Sequence, residues 1–576
     1  MHRIPRFARP ASTTLLAGIT ACLSSPGAHA AFPYSTTPSW ESNPNAEVAT
    51  GGAFGDIDRD GWLDMVVANG NDISRQRVAV YRNNGAGSFP ANPTWSSTDI
   101  DYHGHLDLGD INGDGWLDVV VAVYLGPGGF GDRGKVKLYL NDGAGNLSNS
   151  PSWESGDRFY SFSLALGDAD GDGDLDLACA CGDDYNDETE YQRIYFNVGG
   201  TFESLPSWTS ADRTYALDVT WDDIDRDGDM EPLFCGTSAP LRYYRNDQTL
   251  GGGISSAATW QNTDLPEFGN TTALGDWNGD GFPELAVADN NQLGGAGRFK
   301  VYGNSAGVLG TTPIWQSSNG GYGSNVTWVD LDRDGDQDLM TGRWFSALRA
   351  YENLGGTLTT APIWTSGTSA VTENVFFGDV DRDGRRTNGL SVAHGTGSRT
   401  FFAIGQAPVE SIDEVRVDGL AITDFVGHAG NGWISISPPP ASGALVEISF
   451  SYSVDLDFGV TNWDSGEGNY LFLNTRTAAA VDQPLAGLGA IGAYPNPMRE
   501  RTQIRYSGPA VEQAQIDLFD VRGRRVRSLA AGPVDGLRFW EWDGKDSGGR
   551  ELPAGTYFAR VSGPSSAIET RIVRLR

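Results

Sequence analysis

Short apolar runs alternate with acidic, glycine-rich turns along most of the chain, and one such unit recurs seven times. It reads FGDIDRDGWLDMVVAN from residue 54, LGDINGDGWLDVVVAV from 108 and LGDADGDGDLDLACAC from 166. It returns as WDDIDRDGDMEPLFCG from 221, LGDWNGDGFPELAVAD from 274 and WVDLDRDGDQDLMTGR from 328, then in degenerate form as FGDVDRDGRRTNGLSV from 377. Two landmarks keep the same period. Trp40, Trp95, Trp153, Trp208, Trp260, Trp315 and Trp364 each stand 15 or 16 residues ahead of a turn. A run ending in aromatic-x-Asn follows the first six turns: Tyr81/Asn83, Tyr139/Asn141, Tyr195/Asn197, Tyr244/Asn246, Tyr302/Asn304 and Tyr351/Asn353. Each unit thus offers four short strands: one carrying the Trp, one entering the turn, one leaving it, and one ending in Asn. Four strands per 49 to 58 residues, seven times over, predict an all-β seven-bladed propeller across residues 31–407. The chain opens with a Trp strand and its last repeat lacks one. Trp40 is therefore expected to complete the final blade and close the ring, which removes an exposed sheet edge.

Beyond the repeats the pattern changes. VRVDGLAITDF, WISISPPPASG and ALVEISFSYS alternate like strands of a small β-sandwich over residues 408–454. Residues 455–482 then look like half a repeat: Leu456-Asp457 matches the exit of a turn, and Phe472-Leu473-Asn474 matches the aromatic-x-Asn strand. The sandwich reads as an insert within the last blade, with an eighth, partial blade as the alternative. A small-residue linker at 483–492 leads to a separate C-terminal β-sandwich domain at 493–576.

The extreme N-terminus differs again. Arg3, Arg6 and Arg9 precede the apolar Leu15–Leu23 and an A-x-A site at Ala28-His29-Ala30, so residues 1–30 are expected to be a signal peptide. Ile19-Thr20-Ala21-Cys22 offers the alternative of a lipid anchor at Cys22. Either reading takes the chain out of the cytoplasm. No other run is long and apolar enough for a transmembrane helix. Cys179, Cys181 and Cys235 are too few and too unevenly spaced for a disulfide framework and read as buried free thiols.

The formal net charge of −33 excludes nucleic acid as a natural partner. The acids are periodic: 28 of the 74 fall in the seven nine-residue turns. Within each turn, D-x-[DN]-x-D-G-x-x-[DE] places oxygen side chains at positions 1, 3, 5 and 9. That alternation suits a hard cation that takes six to eight oxygens, with Gly at position 6 for the sharp turn. The same spacing opens an EF-hand loop, but here β-branched strand sequence follows in place of a helix. Six or seven structural calcium ions are expected. The candidate ligands are Asp56, Asp58, Asp60 and Asp64; Asp110, Asn112, Asp114 and Asp118; and Asp168, Asp170, Asp172 and Asp176. They continue with Asp223, Asp225, Asp227 and Glu231; Asp276, Asn278, Asp280 and Glu284; and Asp330, Asp332, Asp334 and Asp338. In the seventh turn Asp379, Asp381 and Asp383 are followed by Thr387 where the last carboxylate belongs, with Arg385 and Arg386 beside it.

These repeats resemble FG-GAP (VCBS-type) repeats, the unit of integrin α-subunit propellers and many bacterial surface proteins. The resemblance implies a main-chain carbonyl ligand at position 7, metal hairpins on one face of the disc, and ligand binding on the other. It also implies a secreted or cell-surface binding or adhesion protein, its partner an extracellular protein or glycan. Some relatives of this kind are lectins or polysaccharide lyases, which is the alternative function. From Ala493 onward, Tyr494-Pro495-Asn496-Pro497, Trp542-Asp543-Gly544 and Gly555-Thr556-Tyr557 resemble the FlgD-like immunoglobulin-type domain and the sorting domains of type IX secretion. That likeness implies contact with secretion machinery and delivery to the outer surface of a bacterial outer membrane; a purely structural terminal domain is the alternative.

Eight residues ahead of five turns stand Tyr102, Tyr160, Tyr215, Phe268 and Tyr322, with Asp99, Asp157, Asp212 and Asn319 three residues before four of them. Such a ring could stack on sugars, or it could pack between blades. Three loops between the strand that leaves a turn and the strand that ends in Asn are enlarged, Tyr124–Gly134, Asp183–Tyr191 and Asn290–Gly297, as binding loops on a rigid scaffold often are. No Ser-His-Asp arrangement is readable, and His103 and His105 read as plain residues of a crossing loop.

Overall fold

The computed structural model describes residues 32–43, 47–248, 251–264, 268–292, 296–332, 336–384, 386–475, 490–494, 498–499, 501–563 and 567–575. The signal-peptide and Cys22 expectations, Asp334, residues 476–489 and Pro495–Pro497 lie outside these.

The second strand of blades 1 to 6 is buried along its whole length because a neighbouring blade covers it on either side. Asp64–Asn69, Asp118–Leu125 and Asp176–Asp183 are buried at every position. Seven four-stranded antiparallel sheets result, consistent with propeller blades. Blade 1 is Ala49–Gly55, Asp64–Asn69, Val78–Tyr81 and Trp95–Ser96, from axis to rim. Blades 2 to 6 repeat that order, and each acidic turn joins the first strand to the second.

Blade 7 is built differently. Thr372–Gly378 pairs with Asp457–Asn462, that strand with Tyr470–Phe472, and the rim strand is Trp40–Glu41. The N-terminal Trp strand therefore closes the ring, and the partial repeat completes this blade rather than starting an eighth.

The landmark residues explain how blades adhere. The rim Trp of each blade meets, edge to face, the aromatic of the next blade's third strand: Trp95 with Tyr139 at 6.1 Å, Trp208 with Tyr244 at 5.2 Å. The closure uses the same contact, Trp40 with Tyr81 at 5.5 Å. The Gly before the first loop Asp makes room for the following blade; a Cβ on Gly55 would lie 2.7 Å from Leu108, and one on Gly275 2.6 Å from Trp328.

The excursion from blade 7 starts upstream of the expected residue 408. Arg386–His394 pairs along its length with Leu445–Ser453, so the stretch after the seventh turn belongs to the inserted sandwich and not to the blade. Its sequence shows the reason: RTNGLSVAH lacks the unbroken apolar run that a strand between two blades requires. Ser411–Val417 and Leu420–Ile422 extend this sheet, and Phe401–Ala403, Trp433–Ile436 and Phe425–His428 form the facing one. The C-terminal domain adds Arg525–Trp542, Thr502–Asp520, Gly555–Ser562 and Ala567–Arg574 to the same continuous sheet, with Ala490–Tyr494 pairing Thr502–Asp520. Strand structure thus begins within the expected linker.

The seam between the two sandwiches is packed, with Phe539 of the terminal domain in the inserted core and Val392 of the insert in the terminal core. Together they lie over part of one face of the propeller and line with it an open cavity of about 1410 Å³. That face carries the acidic turns. His428 Nε2 sits 3.0 Å from Asp107, and the Phe401 N–H donates to Gly228 O at 3.2 Å.

Candidate metal centre

In the first five turns the first Asp follows directly on an inner strand and receives the N–H of the position-6 glycine. Gly61 donates to Asp56 at 2.9 Å, Gly115 to Asp110 at 2.6 Å, Gly173 to Asp168 at 3.1 Å, Gly228 to Asp223 at 3.1 Å and Gly281 to Asp276 at 2.8 Å. Those glycines have φ between 87° and 105°, the left-handed region where side chains are costly. The closing carboxylate opens the second strand and takes two backbone N–H groups. Asp176, for example, accepts from Ala169 and from Asn197, both at 2.8 Å.

The Asn of each aromatic-x-Asn landmark does more than end a strand. Its amide Nδ2 donates to a carbonyl in the preceding blade's turn: Asn83 to Val380 at 2.9 Å, Asn141 to Ile57 at 2.9 Å, Asn197 to Ile111 at 2.8 Å, Asn246 to Ala169 at 2.8 Å. Consecutive turns are thereby tied into one ring. A second tie runs from position 4, which also has positive φ. Gly113, Gly171 and Gly279 meet that demand freely, whereas Arg59, Arg226 and Arg382 occupy it at 55° to 60°. Each of these arginines reaches the next blade's turn: Arg59 over Trp116 at 4.7 Å, Arg382 over Trp62 at 5.0 Å, and Arg226 to Gly281 O at 2.8 Å. For Arg59 and Arg382 cation–π contact compensates part of the backbone strain.

Among the described residues, carboxylate oxygens converge within 4.8 Å in five turns: Asp56, Asp58, Asp60; Asp168, Asp170, Asp176; Asp223, Asp225, Glu231; Asp330, Asp332, Asp338; and Asp379, Asp381, Asp383. In the second and fifth turns an amide enters the ring, Asn112 donating to Asp114 at 3.0 Å and Asn278 to Glu284 at 2.6 Å. Several buried carboxylate oxygens aimed into the turns have no hydrogen-bond donor, among them Asp56 Oδ1, Asp64 Oδ2, Asp223 Oδ1 and Glu284 Oε2. Burial, reinforced by neighbouring carboxylates, pushes Asp64, Asp118, Asp168 and Asp223 up to about 7 and Glu284 to about 9. Acceptor-only clusters this costly to ionise fit a bound cation.

The first and fourth turns already contain a positive charge. Arg82, between Tyr81 and Asn83, ion-pairs with Asp58 and lies 3.6 Å from Asp64. Arg245, at the same place in blade 4, lies 3.1 Å from Asp227 and 3.5 Å from Asp225. The seventh turn departs from expectation in another way. Thr387 lies in the inserted sheet, and the closing position is filled by Asp457, which accepts from Val380 at 2.8 Å and Asn474 at 2.7 Å.

The family comparison agrees with this geometry. A model for FG-GAP-like repeats matches residues 44–121, 123–179, 276–341 and 330–386, and a second FG-GAP repeat model matches 105–139. A model for the FlgD Ig-like domain matches 500–566. The chain carries FG-GAP repeats and a C-terminal FlgD Ig-like domain. The FG-GAP turn Asp223–Glu231 falls outside the matched ranges, yet it makes the same hydrogen bonds as the others. Among solved structures the chain is similar to BBS1N in complex with ARL6DN, soaked with lead. Identity is 12% and the TM-score 0.41, over 61% of this chain and 93% of that one. The mercury-soaked crystal gives 12% and 0.40 over the same shares. No curated protein matches.

The aromatic positions divide. Tyr160 and Phe268 are buried between strands, Tyr102 is half-buried, Tyr215 hydrogen-bonds Asp187, and Tyr322 is 37% exposed. Two of their acidic companions are engaged within blades: Asp99 takes Lys137 at 2.5 Å, and Asp157 takes the Tyr195 hydroxyl at 2.6 Å. His103 and His105 are not loop residues; they lie in the inner strand Tyr102–Gly109, enclosed by the channel wall. Burial lowers the pKa of both, to about 4 for His105. Cys179, Cys181 and Cys235 are buried free thiols.

Proposed function

We propose that the chain is a calcium-stabilised propeller displayed outside the cytoplasm, and that it binds an extracellular protein or glycan through the face opposite the FG-GAP turns. One observation carries this reading. Much of the turn face is covered by the chain's own inserted and C-terminal sandwiches, whereas the loops of the other face carry exposed aromatic rings. Phe130, Tyr185 and Phe345 are each at least half exposed there, and Tyr322 packs on Phe345 at 6.2 Å. Exposed rings on rigidly held loops are what binding surfaces use. Calcium acts as scaffold: it would be held by the carboxylates above, supplying only positive charge to the turns. Among the described residues no helix is long and apolar enough to cross a membrane.

The test is a glycan array read beside an array of purified extracellular proteins, in calcium and in EGTA. Tyr185→Ala and Phe345→Ala should lose whatever signal the wild type gives while melting normally. Full binding by both variants would end this assignment. A lectin is the second reading, favoured by the same rings, and the glycan array separates it from a protein adhesin.

The FlgD Ig-like domain is proposed as the export signal. Deleting it would also strip Phe539 from the inserted core, so the cleaner assay fuses residues 490–576 to a folded reporter behind a signal peptide. The fusion should reach the cell surface; periplasmic retention would leave the domain a structural role only.

A further inference from the structure

Blade 7 is the one blade that the chain leaves halfway, and its acidic turn straddles the departure. Asp379, Asp381 and Asp383 stand on the stem entering the inserted sandwich, and Asp457 on the stem returning from it. Asp457 reproduces the closing carboxylate of an uninterrupted turn. It pairs with Gly378 as Asp176 pairs with Gly167, and it accepts the same two backbone N–H groups at 2.8 and 2.7 Å where Asp176 has 2.8 and 2.8 Å. The stems meet at the turn itself, since Arg386 pairs with Ser453. Gly384 permits the approach: a Cβ there would lie 2.2 Å from Ser453 Oγ and 2.7 Å from Asp379 Oδ2.

A second, independent feature points to a ligand. Asp379 is 4% exposed, and its Oδ1 is enclosed without a hydrogen-bond donor. The oxygens of Asp379, Asp381 and Asp383 converge within 4.8 Å. The place from which a guanidinium neutralises turns 1 and 4 is apolar here, because the residue matching Arg82 and Arg245 is Leu473, and Arg382 extends to Trp62 of blade 1.

We propose that Asp379, Asp381, Asp383 and Asp457 form a split divalent-cation site that staples both stems of the inserted sandwich to the blade that closes the ring. The proposal rests on the calcium reading of the other turns. It adds that ion binding in blade 7 is what holds the base of the insert, and through it the C-terminal domain, over the turn face. Cation binding and insert anchoring are then linked reciprocally: each favours the other.

The experiment counts calcium bound per full chain by native mass spectrometry and follows amide exchange in the two stem strands. Asp457→Asn and Asp381→Asn should each lose one ion relative to wild type. Exchange in Arg386–His394 and Leu445–Ser453 should quicken about tenfold or more while Asp64–Asn69 of blade 1 keeps its protection. Thr387→Ala should keep the wild-type count. Asp381 is only half-buried, so its variant decides the matter even where Asp457→Asn fails to fold. An unchanged count in Asp381→Asn overturns the site, and a lost ion without faster stem exchange overturns the staple. A wild-type chain that binds no calcium at all sinks the broader reading along with it.

Discussion

The turns of blades 1 and 3 spell nearly the same residues and live in different surroundings. Asp56–Asp64 opens to solvent and holds Arg82 among its carboxylates. Asp168–Asp176 lies under the inserted sandwich: a Cβ on Gly173 would meet Ser437 at 3.0 Å, and Ser435 lies beside Asp168. No guanidinium replaces Arg82 there, because Phe196 occupies that place in the repeat. The first turn therefore balances its charge from within, and the third depends on something it does not contain. A repeated motif fixes which oxygens can converge; neighbours decide how much convergence costs.

The largest effect should come from withdrawing calcium altogether. A site held at a hundred times its Kd contributes about 2.7 kcal/mol, and several sites act together, so EGTA should lower the melting temperature by on the order of 10 °C or more. The metal-free protein should also show an unusual pH profile. Asp64, Asp118, Asp168 and Asp223 sit near 7 and Glu284 near 9, all above their ordinary values. A carboxyl whose folded pKa is raised adds stability that is complete below its unfolded pKa, about 4, and is lost as pH climbs through the folded value. Melting in EGTA should therefore fall between pH 5 and pH 9, and the gain on adding calcium should widen over the same window. A flat difference across that range would break the comparison at its root.

Next in size is the contrast between single turns. Asp170→Asn should cost a high-affinity calcium ion and loosen the sandwich above it, seen as faster exchange in Trp433–Ile436. Asp58→Asn in the open turn should release Arg82 and leave exchange over the insert unchanged. Equal effects from both variants would mean that cover adds nothing to the coupling.

The split between local and distant information also explains what the sequence made legible. The turns, the Trp and aromatic-x-Asn landmarks and the closure through Trp40 are periodic, and period survives reading one residue after another. Asp457 was visible as a turn exit, but its role at the seventh turn was hidden by the residues folded in between. The amide ties of Asn83 and Asn141 and the reach of Arg59 to Trp116 cross from blade to blade. No local pattern announces them, although Arg at position 4 coincides with an aromatic at position 7 of the following repeat for Arg59, Arg226 and Arg382. His103 was misplaced because a bulged inner strand carrying His and Gly reads like a loop. The cover over the turn face was not legible at all: it joins His428 to Asp107 across 321 residues.

Arg82→Leu should sharpen the comparison in the opposite direction. Removing the guanidinium leaves Asp58 and Asp64 without their internal counter-ion, so calcium binding at the first turn should tighten several-fold, on the order of 1 kcal/mol for a partly exposed pair. In EGTA the same variant should melt lower than wild type, since the carboxylates then have neither arginine nor metal. Terbium titration isolates this site by difference against the same protein carrying Trp62→Phe, since Trp116 and Trp277 are the tryptophans of two other turns. Unchanged affinity would show that Arg82 lies on the turn without competing for it.

The smallest expected effect concerns the cover itself. His428 Nε2 faces Asp107 at 3.0 Å, its Nδ1 accepts the Asn431 N–H at 3.1 Å, and its ring stacks on Trp433. Asp107 also caps the Leu108 and Leu166 N–H groups at 2.8 and 3.0 Å, so it stays largely satisfied when the imidazole is gone. His428→Leu should then cost about 1 kcal/mol. The loss should appear as a several-fold rise in exchange within Phe425–His428, with the propeller strands unmoved. If calcium holds the cover mainly through the covered turns, that rise should be larger in EGTA than in calcium; an equal rise in both would assign the hold to His428 and its neighbours instead of the ions.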